Sequence, residues 1–160
     1  MSITLKFKKL SENATTPTRS YGYGNCWDVY AAETKEIHSF ESTIVPTDLA
    51  FEVPQGYQLH VYNRSSNPLK NKLILSNSCG IVDTNYRGNL GCLFHTLPKM
   101  DENPNNRYWN PLFDNPVIVK KADKIAQIKL VPIQNEDIEE VAELSETERG
   151  EGGFGSSNNK

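Results

Sequence analysis

The stretch Gly80-Ile-Val-Asp-Thr-Asn-Tyr-Arg-Gly-Asn-Leu-Gly91 holds the clearest local pattern in this chain. Its β-branched Ile81 and Val82 are followed by a polar break, after which the chain resumes at Tyr86 and runs into two glycines. That order predicts a β-hairpin with an irregular tip. Asp83 and Tyr86 place a carboxylate and an aromatic ring near this tip, where they could hold a flat polar ligand. Alternatively, Asp83 only forms the turn and Tyr86 only packs across the strands, and the stretch alone leaves both interpretations open.

Length and composition indicate one ordinary folded domain. The chain has 160 residues, of which 37% are hydrophobic and 23% are charged. No run reaches the roughly 18 apolar residues of a membrane span, and the first residues lack a signal-peptide core, so no membrane partner is expected. A net charge of −3 does not suggest a nucleic-acid partner. The three cysteines are expected to be reduced, which predicts a cytoplasmic location, or the host-cell cytoplasm if the protein is viral.

Short β-prone runs separated by turn signals predict an antiparallel all-β fold. Residues 2–9 alternate apolar and polar side chains, which is typical of a half-buried strand. Between residues 40 and 61, prolines and a glycine divide several further strands. Residues 73–75 predict another strand, and residues 120–133 a tight turn followed by an alternating strand.

Polar side chains interrupt this pattern at two places. Asp28 lies inside the β-prone run 26–32, where a carboxylate is costly to bury, so it either faces water or meets a cation. Arg64 is followed by Ser65 and Ser66 at a predicted strand end, and such a set of donors suits phosphate oxygens. A helix N-cap would explain the two serines equally well.

Residues 1–133 are predicted to form the folded domain, and the second half of the chain contains three segments of distinct composition, one within this domain and two after it. Residues 93–119 form a long run rich in Asn, Pro and aromatics, which predicts an insertion within that domain. Residues 134–148 are acidic and predict a solvated connector. Residues 149–160 predict either a plain flexible tail or a glycine-rich arm that is mobile when empty and closes over a nucleotide. In that arm Arg149 would neutralise phosphate charge and Phe154 would stack on a base.

Taken in order, these features resemble the five motifs of the trimeric dUTP diphosphatase (dUTPase) family. The motifs are matched, from the first to the fifth, by Trp27-Asp-Val-Tyr-Ala31, Arg64-Ser-Ser66, Gly80-Ile-Val-Asp-Thr-Asn-Tyr-Arg-Gly88, Asp123-Lys-Ile-Ala-Gln127 and Arg149-Gly-Glu-Gly-Gly-Phe-Gly-Ser-Ser157. Any one of these motifs is weak evidence, whereas all five in the family's order form a specific set.

The resemblance implies a fold and a reaction. The fold would be an all-β, jelly-roll-like distorted barrel, assembled as a homotrimer whose active sites are shared between subunits. The reaction would be hydrolysis of dUTP to dUMP and pyrophosphate, by attack of water on the α-phosphate with Mg²⁺ as the cofactor. Its product dUMP would supply thymidylate synthesis.

The resemblance also assigns roles to residues. Asp83 would activate the water as general base, Tyr86 would exclude a 2′-hydroxyl, and Asp28 would act on the metal through water. The uracil edge would be paired by Asn77 and by backbone groups of Ile81, Val82 and Asp83. The residues expected to bind the phosphates or cover the base are Arg64, Ser65, Ser66, Gln127, Arg149, Phe154, Gly155, Ser156 and Ser157.

The chain departs from the family pattern at several positions. Asn63 stands where a proline usually precedes the motif-two arginine, and Ser66 where a glycine follows its serine. Ala122 and Lys124 stand at the glycine and arginine of the usual motif-four Gly-Asp-Arg. In motif one, Asn25-Cys26 replaces Ala-Gly, and the segment 93–119 is longer than the family norm.

Two other functions were weighed against this one. A dCTP deaminase of the same superfamily also has an Arg-Ser-Ser, but it needs a glutamate soon after the hairpin, and residues 89–96 contain neither Glu nor Asp. A dUTPase-like fold with a regulatory role could instead bind a protein through the aromatic segment 93–119.

Overall fold

The computed structural model of this chain describes residues 3–20, 22, 24–97, 116–134 and 136–152. Within these ranges it contains eleven β-strands and one five-residue helical turn, Asn67–Asn71. The strands are β1 (Lys6–Lys9), β2 (Trp27–Tyr30), β3 (Lys35–Ile37), β4 (Thr43–Pro46), β5 (Leu49–Glu52), β6 (Tyr57–Asn63), β7 (Leu73–Leu75), β8 (Cys79–Val82), β9 (Gly91–Thr96), β10 (Val117–Val119) and β11 (Lys124–Pro132). The predictions of an all-β fold with at most one short helix are confirmed for the described residues.

The strands form two main sheets. β2, β11, β6 and β8 pair in that order in a four-stranded sheet, and β4, β9 and β7 form a three-stranded sheet. β1 pairs with β5 and β10 pairs with β3. All of these pairings between described strands are antiparallel, as the short, turn-separated runs predict.

A single cluster of buried apolar side chains joins the two sheets. On β9 the inward residues Cys92 and Phe94 are buried while their neighbours are not, which is the two-residue period of a sheet with one covered face. Leu59 and Val61 do the same on β6. Burial raises the pKa of the Cys92 thiol to about 12, so this cysteine is a neutral packing residue. All three cysteines are free, as expected.

The predicted hairpin at residues 80–91 is wrong. β8 ends at Val82 and pairs with β6, whereas β9 begins at Gly91 and pairs with β4 and β7. The two strands therefore lie in different sheets, and residues 83–90 form a loop that crosses from one sheet to the other, the inter-sheet loop. Local sequence shows where a strand stops, but hydrogen bonds to distant segments select its partner.

The predicted half-buried strand at residues 2–9 is confirmed as a strand at Lys6–Lys9 but not as half-buried. All four of its residues are exposed, and Phe7 is 42% exposed. Among the described strands β1 pairs only with β5, and Phe7, its one apolar side chain, lies on the surface of the single chain.

The remaining segments are described in part. Both ends of the predicted insertion 93–119 are strands, β9 and β10, and residues 98–115 lie outside the described residues. The described residues of 134–148 are exposed and form no strand. Among the described residues, no helix is long and apolar enough to cross a membrane.

Candidate functional site

The residues predicted to bind a ligand fall into two separate groups. One group surrounds Asp28 and contains Arg64 and Gln127. The other lines a cavity beside the inter-sheet loop and contains Asn77, Ile81, Val82, Asp83 and Tyr86.

Asp28 is buried and surrounded by donors. Its side chain on β2 is 1% exposed. Oδ2 accepts from Lys124 Nζ at 2.9 Å and from Ser20 Oγ at 3.0 Å, and Oδ1 accepts from Gln127 Nε2 at 3.1 Å. Arg64 Nε lies 3.3 Å from Oδ1 and completes a second ion pair. These five side chains are called the Asp28 cluster, and they settle the alternative stated from the sequence, since Asp28 meets cations.

The partners of Asp28 stabilise its charged form. Burial by itself raises the pKa of Asp28, but hydrogen bonds from Lys124, Gln127 and Ser20 and the charge of Lys124 outweigh it and lower that pKa. The hydrogen bond to Asp28 in turn raises the pKa of Lys124. With one carboxylate and two cations, the cluster carries a net positive charge, which suits a phosphate ligand.

A β-bulge on β11 places Arg64. Lys124 pairs with Tyr30 and Ala126 with Val29, so Ile125 is an extra residue opposite β2. Pairing of β11 with β6 begins only at Ala126. Arg64 Nη1 donates to the carbonyl of Lys124 at 3.1 Å, so the guanidinium is held by a backbone acceptor as well as by Asp28.

Sequence reasoning missed two members of the cluster. Lys124 stands at the arginine of the usual motif-four Gly-Asp-Arg, three residues before Gln127, and the sequence assigned it no contact with Asp28. Ser20 belongs to a loop that reaches Asp28 because residues 18 and 28 form a β-bridge. The position of Lys124 beside a predicted phosphate contact was a usable signal, whereas nothing in the sequence around Ser20 indicated its partner.

The second group lines a cavity of about 240 Å³, called the loop pocket. Val61 and Val82 reach it from the four-stranded sheet, and Leu75 and Cys92 reach it from the three-stranded sheet. All five predicted residues of this group line it, together with Asn89, which the sequence prediction omitted.

The inter-sheet loop is held by its own contacts. The backbone N–H of Tyr86 donates to the carbonyl of Asp83 at 3.2 Å, and its hydroxyl donates to the carbonyl of Asn89 at 3.0 Å. The Tyr86 ring lies so close to Gly88 that a Cβ at Gly88 would collide with its hydroxyl. Asn89 donates from Nδ2 to Asp48 Oδ1 at 2.7 Å, which anchors the loop to the chain beside β5. Asp83 itself is exposed at the pocket.

The two groups are far apart within one chain. Across the four-stranded sheet, Asp28 lies opposite Gln127, Gln127 opposite Tyr62, and Tyr62 opposite Cys79. Asp83 follows Cys79 by four residues along β8 and the loop. With about 4.8 Å between strands and 3.3 Å per residue, the Cα atoms of Asp28 and Asp83 are roughly 20 Å apart. The two groups therefore lie at opposite edges of the four-stranded sheet of one chain.

Comparison with known proteins places the chain in a family. A family model described as dUTPase matches residues 12–101 and 110–158. The chain belongs to the dUTPase family. The residues between the two matched ranges, 102–109, lie inside the segment that the sequence predicts as an insertion.

Individual dUTPases resemble it along most of its length. The deoxyuridine 5'-triphosphate nucleotidohydrolase of Rattus norvegicus is 37% identical over 153 residues, which are 96% of this chain and 66% of the rat protein. A mutant dUTPase of Staphylococcus bacteriophage 80alpha, solved with dUpNHpp, has a TM-score of 0.79 and 30% identity, covering 98% of this chain and 99% of that one. A mutant dUTPase of phage phi11 of S. aureus, whose structure reveals the coordination of a structural Mg(II) ion, has a TM-score of 0.72 and 27% identity, covering 90% and 100%.

As a member of the dUTPase family, the chain has the predicted jelly-roll fold. The family match also favours the dUTPase prediction over the alternative of a dCTP deaminase. Not every predicted contact residue can be placed. Ser65 is exposed, and Ser66 occupies the N-cap of the helical turn without a side-chain capping bond, so capping does not account for its hydroxyl. Arg149 donates from Nε to the carbonyl of Gly152 at 2.7 Å. Phe154, Gly155, Ser156 and Ser157 lie outside the described residues.

The described residues do not form a metal site made of protein ligands alone. No group of three or more His, Cys, Asp or Glu side chains among them could hold an ion. In the Asp28 cluster both carboxylate oxygens already accept from protein donors. A dUTPase magnesium therefore fits this chain only if phosphates and water supply most of its ligands, which is how Mg²⁺ is usually held at phosphate sites.

Proposed function

We propose that this chain is a dUTP diphosphatase, which hydrolyses dUTP to dUMP and pyrophosphate, lowers dUTP and supplies dUMP for thymidylate synthesis. The observation that carries the proposal is the loop pocket. In a chain of the dUTPase family, it gathers all five residues predicted to bind the base, the sugar and the attacking water around one cavity. Its volume of about 240 Å³ suits a nucleoside and leaves a triphosphate outside.

Each wall of the pocket has a proposed task. The backbone groups of Ile81 and Val82 and the side chain of Asn77 pair with the uracil edge. Tyr86, which is 47% exposed and fixed by Asn89 and Gly88, lies against the deoxyribose and leaves no room for a 2′-hydroxyl. The exposed carboxylate of Asp83 at the rim accepts a proton from the attacking water as general base.

The Asp28 cluster is proposed to serve the phosphates. Arg64 donates to phosphate oxygens with Ser65 and Ser66, and the net positive charge of the cluster stabilises the charge that develops during phosphoryl transfer. Mg²⁺, when bound, supplies further neutralisation of the triphosphate. Asp28 reaches such an ion only through water, since its own oxygens are occupied, and it orients Arg64 and Gln127 directly.

The residues of the C-terminal arm complete the proposed site. Arg149, Ser156 and Ser157 would bind the outer phosphates, while Phe154, beside Gly155, would cover the uracil. The support is their motif-five order in a chain whose family match extends to residue 158.

A homotrimer with shared active sites follows from the same proposal. The roughly 20 Å between Asp28 and Asp83 supports a site that takes the two groups from different copies of the chain. Apolar surface is available for assembly. Ile138 is 98% exposed and Leu144 is 86% exposed, and a groove of about 350 Å³ is lined by Phe7 and Trp27 among other residues. A cytoplasmic location is proposed with it, supported by the three free cysteines.

The function is tested by pyrophosphate release from purified protein with Mg²⁺. We expect release from dUTP and far less from dCTP, dTTP or UTP. No release from dUTP, or equal release from UTP, would contradict the proposal.

The shared site is tested by subunit mixing. Arg64→Ala and Asp83→Asn are each expected to be inactive alone. After co-refolding at equal amounts, a random trimer that takes Arg64 from one subunit and Asp83 from its neighbour recovers about a quarter of the wild-type sites. No recovery, with mixed trimers shown by mass, would mean that both residues serve the same site from one chain.

A further inference from the structure

Asn67 is a buried polar residue to which the sequence assigned no role. It opens the helical turn after Arg64-Ser65-Ser66 and is 4% exposed. A buried amide is costly unless it is hydrogen-bonded. Its Nδ2 donates to the carbonyl of Ile125 at 2.7 Å and to Asn63 Oδ1 at 2.8 Å.

These bonds enclose the phosphate-binding turn, residues 64–66. The backbone N–H of Asn67 donates to the carbonyl of Arg64 at 3.0 Å, which closes the turn. Its side chain fastens the turn to Asn63 on one side and to β11 on the other. Asn63 stands where the family usually has a proline, and its own Nδ2 donates to the carbonyl of Leu73 at 3.0 Å. Hydrogen bonds thus restrain a position that a proline ring would otherwise restrain.

The anchor on β11 is the bulge. The carbonyls of Lys124 and Ile125 lie beside the bulge, before pairing with β6 begins, and accept from Arg64 Nη1 and Asn67 Nδ2 respectively. Two consecutive carbonyls therefore fix both the guanidinium and the end of its turn against the strand that carries Gln127.

We propose that Asn67 is a positioning residue of this dUTPase: it touches no substrate and holds residues 64–66 so that the Arg64 guanidinium meets the phosphates. This inference rests on the proposed function. It differs from a merely stabilising role in that its effect on nucleotide binding passes through Arg64 and spares the loop pocket.

The test uses the full-length protein and the variant Asn67→Leu, which removes the donated bonds and keeps the number and branching of the side-chain heavy atoms. The matched control is Asn71→Leu, at the exposed end of the same helical turn. Affinity is measured for dUpNHpp, which carries the phosphates, and for deoxyuridine, which does not. We expect dUpNHpp to bind about tenfold more weakly to Asn67→Leu, with deoxyuridine and the control nearly unchanged.

A double-mutant cycle with Arg64→Ala separates positioning from general damage. If Asn67 acts through Arg64, Asn67→Leu weakens dUpNHpp binding no further in the Arg64→Ala background. Unchanged dUpNHpp affinity, equal loss of deoxyuridine affinity, or multiplied losses in the double variant would each overturn the inference.

Two further measurements keep the outcomes distinct. If the wild-type protein does not hydrolyse dUTP, the proposed function is refuted. If the wild type hydrolyses dUTP and Asn67→Leu binds dUpNHpp as tightly as the wild type does, only the positioning role is refuted. If Asn67→Leu does not fold, Asn63→Ala removes one of its two side-chain bonds. Asn63→Ala is expected to bind dUpNHpp more weakly than the wild type, by a factor smaller than tenfold. If it binds dUpNHpp as tightly as the wild type does, the inference is overturned.

Discussion

The Asp28 cluster and the loop pocket place their carboxylates in opposite environments at the two edges of the same β-sheet. Asp28 is 1% exposed and ringed by two cations and two neutral donors, so its charge and position are set by the folded chain. Asp83, on the edge strand side of that sheet, is exposed at an open cavity. A buried, fully paired carboxylate suits organisation of neighbouring cations, whereas an exposed one is available to a water molecule. The two acids are therefore proposed to have different roles, and their substitutions should have different effects.

The largest expected effect separates chemistry from stability. Asp83→Asn removes the proposed base, and we expect dUTP turnover to fall by at least about 10³-fold, since the reaction loses its proton acceptor. Because Asp83 is exposed, the melting temperature and the affinity for dUpNHpp should stay near those of wild type. Steady-state kinetics measures the turnover, and calorimetry measures the melting temperature and the affinity for dUpNHpp. Near-wild-type turnover would place the base elsewhere.

Asp28→Asn, in contrast, should lower the stability of the fold. It leaves Arg64 and Lys124 without their shared anion, and because both cations are partly exposed we expect a loss of about 2–3 kcal/mol in the free energy of unfolding, less than for a fully buried pair. Denaturant unfolding measures this loss. Glu52→Gln, which removes an exposed ion pair with Lys6, is the matched control and should cost far less. Equal losses in the two variants would remove the distinction between a buried and a surface acid.

The same variant has a pH signature. The pKa of Asp28 is lowered from its ordinary value of 3.8 by its hydrogen-bond donors despite burial. Its ionised form therefore stabilises the fold fully above about pH 4, and this contribution is lost as the pH falls through the lowered pKa. The stability difference between wild type and Asp28→Asn should be constant near neutral pH and shrink in acid. A difference that grows on acidification would contradict the assignment.

On the pocket side, a smaller effect should appear in selectivity. Gly88→Ala would push the Tyr86 hydroxyl out of place, and we expect discrimination against UTP to weaken by about tenfold while dUTP turnover changes little. Tyr86→Phe in the same chain should not restore discrimination, because the ring carbon Cζ would still lie 2.6 Å from the added Cβ. The ratio of kcat/KM for dUTP and UTP is the measurement. Loss of turnover of both substrates, with the ratio intact, would show that the ring does not select the sugar.

The smallest effect concerns the turn that leads to Lys124. Ala122 has φ +67, a left-handed conformation that costs a non-glycine residue roughly 1–2 kcal/mol. Glycine relieves this strain but adds unfolded-state entropy, so Ala122→Gly should stabilise the protein by only about 0.5 kcal/mol. The melting temperature should rise slightly and the activity should not change. A decrease would mean that the alanine methyl group makes a compensating contact.

The sequence predicts the strands well because each is a local pattern, and it fails where distant segments must meet. The end of β8 at Val82 is readable, but its partner β6 and the separate sheet of β9 are not, so the predicted hairpin was wrong. The sequence could not decide whether Asp28 faces water or meets a cation, because its partner Lys124 is 96 residues away in the chain. The five predicted residues that line the loop pocket could be predicted together, since they lie within ten positions of one another and the family resemblance assigns them to one site.

Because the loop pocket is walled by Val61 and Val82 from one sheet and by Leu75 and Cys92 from the other, its width equals the gap between the two sheets at that point. These four side chains are also members of the hydrophobic core. A methyl group added to or removed from this part of the interior therefore resizes the slot for the base without touching a single polar contact. In the proposed function, discrimination between pyrimidines would therefore depend on core side chains as well as on polar contacts, and an inhibitor that fills the pocket would respond to core substitutions.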